Sequence, residues 1–153
     1  MNWVPAALAV LCCAGCHAAG ILKLSRTELT LAPDKPASEL WATNIGDTPL
    51  YLDITQQLVI NPGQVPEQRM LVEEVERPAL LVLPRRLVLS PGQRYRMVLK
   101  EISVPGQNQV WRVTFRPRER VAVRADQKEG TTAPLLVSVG YGVVIYQMNG
   151  QGG

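Results

Sequence analysis

Leu135-Leu136-Val137-Ser138-Val139-Gly140-Tyr141-Gly142-Val143-Val144-Ile145-Tyr146 is an uncharged apolar run near the end of the chain. β-branched and aromatic residues dominate it, and two glycines stand where a helix would be weakened, so it reads as a strand. At roughly 3.3 Å per residue one continuous strand would reach about 40 Å, against a usual length of about five or six residues. A strand that long either covers a whole face of its own core or presents one margin to another chain. Alternation sets Leu135, Val137 and Val139 on one face, with Tyr141 following, and Leu136, Ser138 and Gly140 on the other. At roughly 1.5 to 3 kcal/mol per fully buried aliphatic, the first row would contribute about 5 to 9 kcal/mol to a partner's groove before ordering costs. The same alternation suits a strand that closes its own core, and the sequence leaves that parity open.

Outward from this run the pattern is strand, turn, strand. The connection Arg118 to Ala133 is long and mixed in charge, with Val121 and Val123 embedded, and reads as a surface loop. Before it, Val110 to Phe115 sets Trp111, Val113 and Phe115 on one face. From the other end, Ile21 to Leu24 and Leu29 to Leu31 alternate around polar residues, a first edge strand with a kink. Leu40 and Ala42 alternate with Trp41 and Thr43, and Leu50, Leu52 and Ile54 alternate with Tyr51, Asp53 and Thr55. The turn residues between them, Asn44 to Pro49, predict a hairpin. Leu71 to Arg77 is read as loop with a short strand. Leu80 to Leu83 is a strand that Pro84 ends or bends before Leu87-Val88-Leu89 resumes. No window shows apolar spacing of three and four over ten residues. The expected fold is therefore all-β, an immunoglobulin-like β-sandwich of about seven strands in a single domain over 20–147.

The chain has 153 residues, 46% hydrophobic and 19% charged, enough for one globular core and too few for two large ones. Its formal charge is +3. Arg116, Arg118, Arg120 and Arg124 are interleaved with Pro117, Glu119 and Asp126, which argues against a nucleic-acid stripe. Cys12, Cys13, Cys16 and the single histidine, His17, all precede Ala18. Residues 1–19 resemble a secretory signal peptide, apolar from Trp3 through Gly15 and ending in small residues. Cys13-Ala14-Gly15-Cys16 offers an alternative, lipoprotein-type cut that would anchor the chain at Cys16. Beyond either cut there is no histidine base, no thiol and no phosphate-cradling glycine loop, so no enzyme, cofactor or metal is expected. Paired acids such as Glu73 with Glu74 fall in a surface loop.

Several ordered features resemble one family. They are Asn44-x-Gly46-Asp47-x-Pro49-Leu50-Tyr51, Leu81-Val82-x-Pro84-x4-Leu89-x-Pro91-Gly92-Gln93, Trp111-Arg112-Val113-Thr114-Phe115-Arg116-Pro117 and the long final strand. From about Leu22 to Tyr146 the chain is similar to the N-terminal domain of the periplasmic chaperones of chaperone/usher pili. The resemblance implies an exported periplasmic protein that caps a pilus or fimbria subunit by lending it the last β-strand, with Leu135, Val137, Val139 and Tyr141 as the binding row. It implies a pilus subunit as partner, and an outer-membrane usher beyond it. Ordering of the Arg118 to Ala133 connection on capture follows, with Val121 or Val123 extending the row. The family also implies two basic residues that hold the subunit's terminal carboxylate. Here those places fall on Glu28 and on Val143 or Val144, none of them basic, and Arg26 is the candidate replacement, two residues from Glu28. Such charge-assisted bonds contribute about 1.5 to 3 kcal/mol each, so their loss should affect register more than grip. The family continues into a second sandwich where this sequence has the polar tail 148–153. A solo-domain form, a truncated product without function and half of a split chaperone all fit that ending. The non-chaperone alternative is an exported structural or adhesive immunoglobulin-like domain.

Overall fold

The computed structural model describes residues 20–118, 121–124, 134–137 and 140–151. Val139, residues 1–19 with Cys16, and residues 152–153 lie outside the described residues. The strands in chain order are β1 (Leu22–Leu24), β2 (Glu28–Leu31), β3 (Trp41–Asn44), β4 (Leu50–Val59), β5 (Arg69–Leu71), β6 (Leu80–Leu83) and β7 (Arg86–Leu89). They continue with β8 (Arg94–Arg96), β9 (Val98–Glu101), β10 (Gln109–Pro117), β11 (Val121–Arg124), β12 (Pro134–Val137) and β13 (Tyr141–Gln147). A single 3-10 turn, Val72–Glu74, is the helical element among the described residues.

One layer has the order β2-β13-β10-β4-β5, with β7 also paired to β4. Every pairing in it is antiparallel except β13 with β2, which is parallel. The other layer is β1-β3-β8, continued past Met97 by the β6-β9 pair. Met97 joins the two pieces by donating its N–H to the Leu40 carbonyl at 2.8 Å. The alternation read from the sequence is what lets the layers pack. Leu50, Leu52 and Ile54 of β4, Trp111, Val113 and Phe115 of β10, and Val143 and Ile145 of β13 are all buried. They meet Leu22, Leu40, Ala42, Leu80, Val82 and Met97 of the opposite layer in one cluster. Each large aliphatic or aromatic withdrawn from water there contributes about 1.5 to 3 kcal/mol.

The expected sandwich is present, with its strands broken where they change layer. The first strand splits between Ser25, whose N–H donates to Trp41 in one layer, and Thr27, whose carbonyl accepts from Val144 in the other. The segment bent by Pro84 does the same, since β6 pairs with β9 and β7 with β4. Proline suits such a break because it cannot donate to a ladder.

Three local expectations are corrected. β3 and β4 do not form a hairpin, because they belong to different layers. Asn44 explains why: its buried amide donates to the carbonyls of Thr48 and Leu89 and accepts from the N–H groups of Gly46 and Ile21, turning the connection across the core. The final run is described not as one strand but as β12 and β13, with separate partners, β11 and β10. The break coincides with Pro117, which ends β10, while Arg118 still donates its N–H to the Tyr51 carbonyl at 2.9 Å, in register with β4. Within the supposed surface loop, Val121–Arg124 is itself a strand. It pairs Val121 with Val137 and Val123 with Leu135.

Candidate functional site

The last strand is flanked unequally along its length. On one side β13 pairs with β10 throughout, from Phe115↔Tyr141 to Gln109↔Gln147. On the other side β2 begins only at Glu28↔Val144 and runs to Leu31↔Gln147. Tyr141, Gly142 and Val143 therefore have no strand beside them on that margin among the described residues. β12 likewise has β11 on one side and no second described neighbour. Backbone groups alternate in direction along a strand. Val144 donates to Thr27 and Met148 to Leu31, both toward β2. The same alternation turns the Gly142 N–H and C=O toward the open margin, and a Cβ added at Gly142 would meet nothing within 4 Å. An exposed row of backbone donors and acceptors of this kind is a template for one more strand.

The side chains of β13 divide along the same line. Val143, Ile145 and Gln147 are buried, whereas Tyr141, which has their parity, is 39% exposed. Gln147 is held by a hydrogen bond from the Trp111 indole N–H at 3.1 Å and itself donates to the carbonyls of Ala79 and Ser103. That fixes the register of β13 on β10, because a one-residue slip would take Gln147 out and put Tyr146 in.

Glu28 is exposed directly opposite Val144. Val143 is 1% exposed and belongs to the core. Arg26 is exposed in the β1–β2 connection and enters no ion pair among the described residues. It precedes Glu28 by two residues, the step that separates Gly142 from Val144. Leu135 and Val137 are placed in β12 by register alone.

Two ion pairs that sequence reasoning missed tie β10 to the β4–β5 side of the same layer. Arg112, opposite Val144 on β10, makes a two-pronged bond to Glu67 at 2.9 and 3.0 Å. The Arg112 guanidinium holds the Glu67 carboxyl below its ordinary range, and Glu67 in turn raises Arg112. Arg118, at the base of the β10-to-β11 connection, grips Asp53 of β4 at 2.9 and 2.8 Å and lowers the Asp53 carboxyl. The partners in these pairs are 45 and 65 residues apart in sequence, so no spacing announced them. Both carboxylates are consumed by cations, and among the described residues no group of three or more His, Cys, Asp or Glu gathers as a metal site would require. What the arrangement presents among the described residues is a strand margin with open backbone groups.

No family model and no curated protein matches this chain. Solved structures do match it. A chain of the chaperone–tip adhesin complex of CFA/I fimbriae biogenesis superposes with a TM-score of 0.66 at 17% identity, over 87% of this chain and 59% of its own. The class 5 fimbriae chaperone CfaA gives 0.63 at 19% identity, over 84% and 56%. The CsuC–CsuE chaperone–tip adhesion subunit pre-assembly complex of the archaic Csu pili of Acinetobacter baumannii gives 0.56 at 13%, over 82% and 56%. The chain thus has the fold of the fimbrial chaperones and spans between half and three fifths of the length of these three chains.

Proposed function

We propose that this protein is a periplasmic chaperone for a pilus or fimbria subunit, and that it caps the subunit by adding β12 and the start of β13 to the subunit's incomplete sheet. The observation that carries the reading is the unpaired margin ending at Glu28↔Val144, where β2 closes it. A subunit that lacks an edge strand exposes a groove of backbone groups and apolar surface, and an extended strand satisfies both. Each inter-strand hydrogen bond contributes about 0.5 to 1.5 kcal/mol net, and the side chains filling the groove contribute more.

The parity supports the same reading. Val143 and Ile145 fill this protein's own core. Positions 141, 139, 137 and 135 share their parity, so an extended chain carries one apolar row from the chaperone's core into the subunit's groove. Tyr141 stands at the changeover, exposed but in line with the core residues. Export by the leader 1–19, residence in the periplasm and a further encounter with an outer-membrane usher belong to the same proposal. Arg26 is the cation nearest in sequence to the point where the margin closes, and is proposed to meet the subunit's terminal carboxylate there.

The test is co-expression with a pilin-like subunit. A soluble one-to-one complex is expected, lost in Val137→Asp while the free variant keeps the wild-type thermal midpoint. A variant that unfolds by itself, or a complex that survives the substitution, contradicts the proposal and leaves an adhesive or structural immunoglobulin-like domain as the alternative.

A further inference from the structure

The outward face of the β1-β3-β8 layer lies away from the β13 margin in the strand order and carries a different chemistry. Lys23, Thr43 and Arg94 stand in one cross-strand row, with Trp41 and Arg96 in the row beside it. The Arg94 guanidinium lies over the Trp41 ring at 4.2 Å from its centroid. Stacking of this kind restrains a guanidinium while its N–H edges stay free for a carboxylate. Neither Arg94 nor Lys23 enters an ion pair among the described residues. The nearby acid, Glu39, is already engaged, accepting from the Trp41 indole N–H at 3.1 Å and from Arg96 at 3.2 Å. Its carboxyl is held below the ordinary range first by the indole and then by Arg96. Lys23, Ser25, Trp41, Thr43, Ile45 and Arg94 line a shallow depression of ≈ 480 Å³. Ile45 at its rim is 57% exposed.

We infer that this face is a docking site for an acidic, extended segment of a partner polypeptide, with carboxylates on Arg94 and Lys23 and an aliphatic side chain against Ile45. Two cations one strand removed from each other on either side of Thr43 are about 10 Å apart, given the usual strand spacing. An extended segment places alternate side chains roughly 7 Å apart, close enough for acids at alternate positions to reach both. The charge is complementary, and the Arg94–Trp41 stack has removed part of the ordering cost in advance. A lipid surface fits less well, because the indole that would enter the headgroup region is capped by Arg94 and its N–H is already donated to Glu39.

The test is an NMR titration of the protein with a capped peptide of alternating aspartate and leucine, and with its asparagine counterpart, at physiological salt. The Trp41 indole N–H and the Arg94 side chain are followed, and the buried Trp111 indole serves as control. A saturable shift at Trp41 and Arg94 with the aspartate peptide alone is expected, abolished by Arg94→Glu or Lys23→Glu and weakened at least about fivefold by Arg94→Lys, which keeps the charge and loses the stacked fork. The Val137→Asp variant should bind the peptide as wild type does, so failure here is separate from failure of the chaperone proposal. No saturable shift, an equal response to the asparagine peptide, unchanged binding in both charge-reversal variants, or preferential binding to phosphatidylglycerol-containing vesicles would each overturn the inference.

Discussion

Glu28 and Val144 face one another across the parallel β2–β13 pair, and at that point the last strand stops being an edge. Beyond it toward the chain terminus β13 is flanked on both sides. Before it, β10 is the sole described neighbour. The functional proposal rests on this change of environment within a single strand, which separates residues paired on both sides from residues with one margin open among the described residues.

That separation can be measured with two neighbouring substitutions. Val143→Ala removes two buried methyl groups and leaves a cavity, so a loss of about 2 kcal/mol is expected in urea unfolding. Tyr141→Ala, at a position 39% exposed, should cost well under 1 kcal/mol in the same measurement yet weaken subunit capture in a pull-down. Equal stability losses would place both residues in the core.

The buried amides give a second prediction. Gln147→Leu strands the Trp111 indole N–H and removes a donor from the carbonyls of Ala79 and Ser103. A buried group left unsatisfied costs about 1 to 3 kcal/mol, so a total near 2 to 4 kcal/mol is expected from chemical denaturation. Asn44→Ala, which breaks four hydrogen bonds at the layer crossing, should fall in the same range.

How far the fold was legible follows from these residues. Leu50, Leu52 and Ile54, and Trp111, Val113 and Phe115, could be read from alternation because each strand has one apolar and one mixed face. β13 could not, since Val143 and Val144 are both apolar, and its parity is settled by Gln147, a polar residue on the core side. The layer crossings were hidden for another reason. They depend on bonds between distant residues, such as Asn44 with Leu89 and Gln56 with Leu80 and Val82, that leave no local pattern. The open margin was foreseen only as the excess length of a strand. Its limit at Val144 required the partner β2, and the ion pairs Arg112–Glu67 and Arg118–Asp53 required the fold.

Acid sensitivity follows from those pairs. Unfolded Glu and Asp titrate near about 4.3 and 3.9, and Glu67 and Asp53 are lower in the folded chain. A carboxyl with a depressed folded pKa contributes stability that is present above its unfolded value and is lost as pH falls through the folded one. The thermal midpoint should therefore drop between about pH 5 and pH 3, and the drop should shrink in Arg112→Met and in Arg118→Met. An unchanged acid limb in both variants would show that the two pairs do not contribute.

The most direct test is amide hydrogen exchange at Gly142, in the free protein and in the complex purified with a subunit. The account expects rapid exchange at Gly142 in the free protein beside slow exchange at Val144, which donates to Thr27, and strong protection of Gly142 once the subunit is bound. A Gly142 amide as protected in the free protein as in the complex, or one still exchanging freely when the subunit is bound, would contradict it.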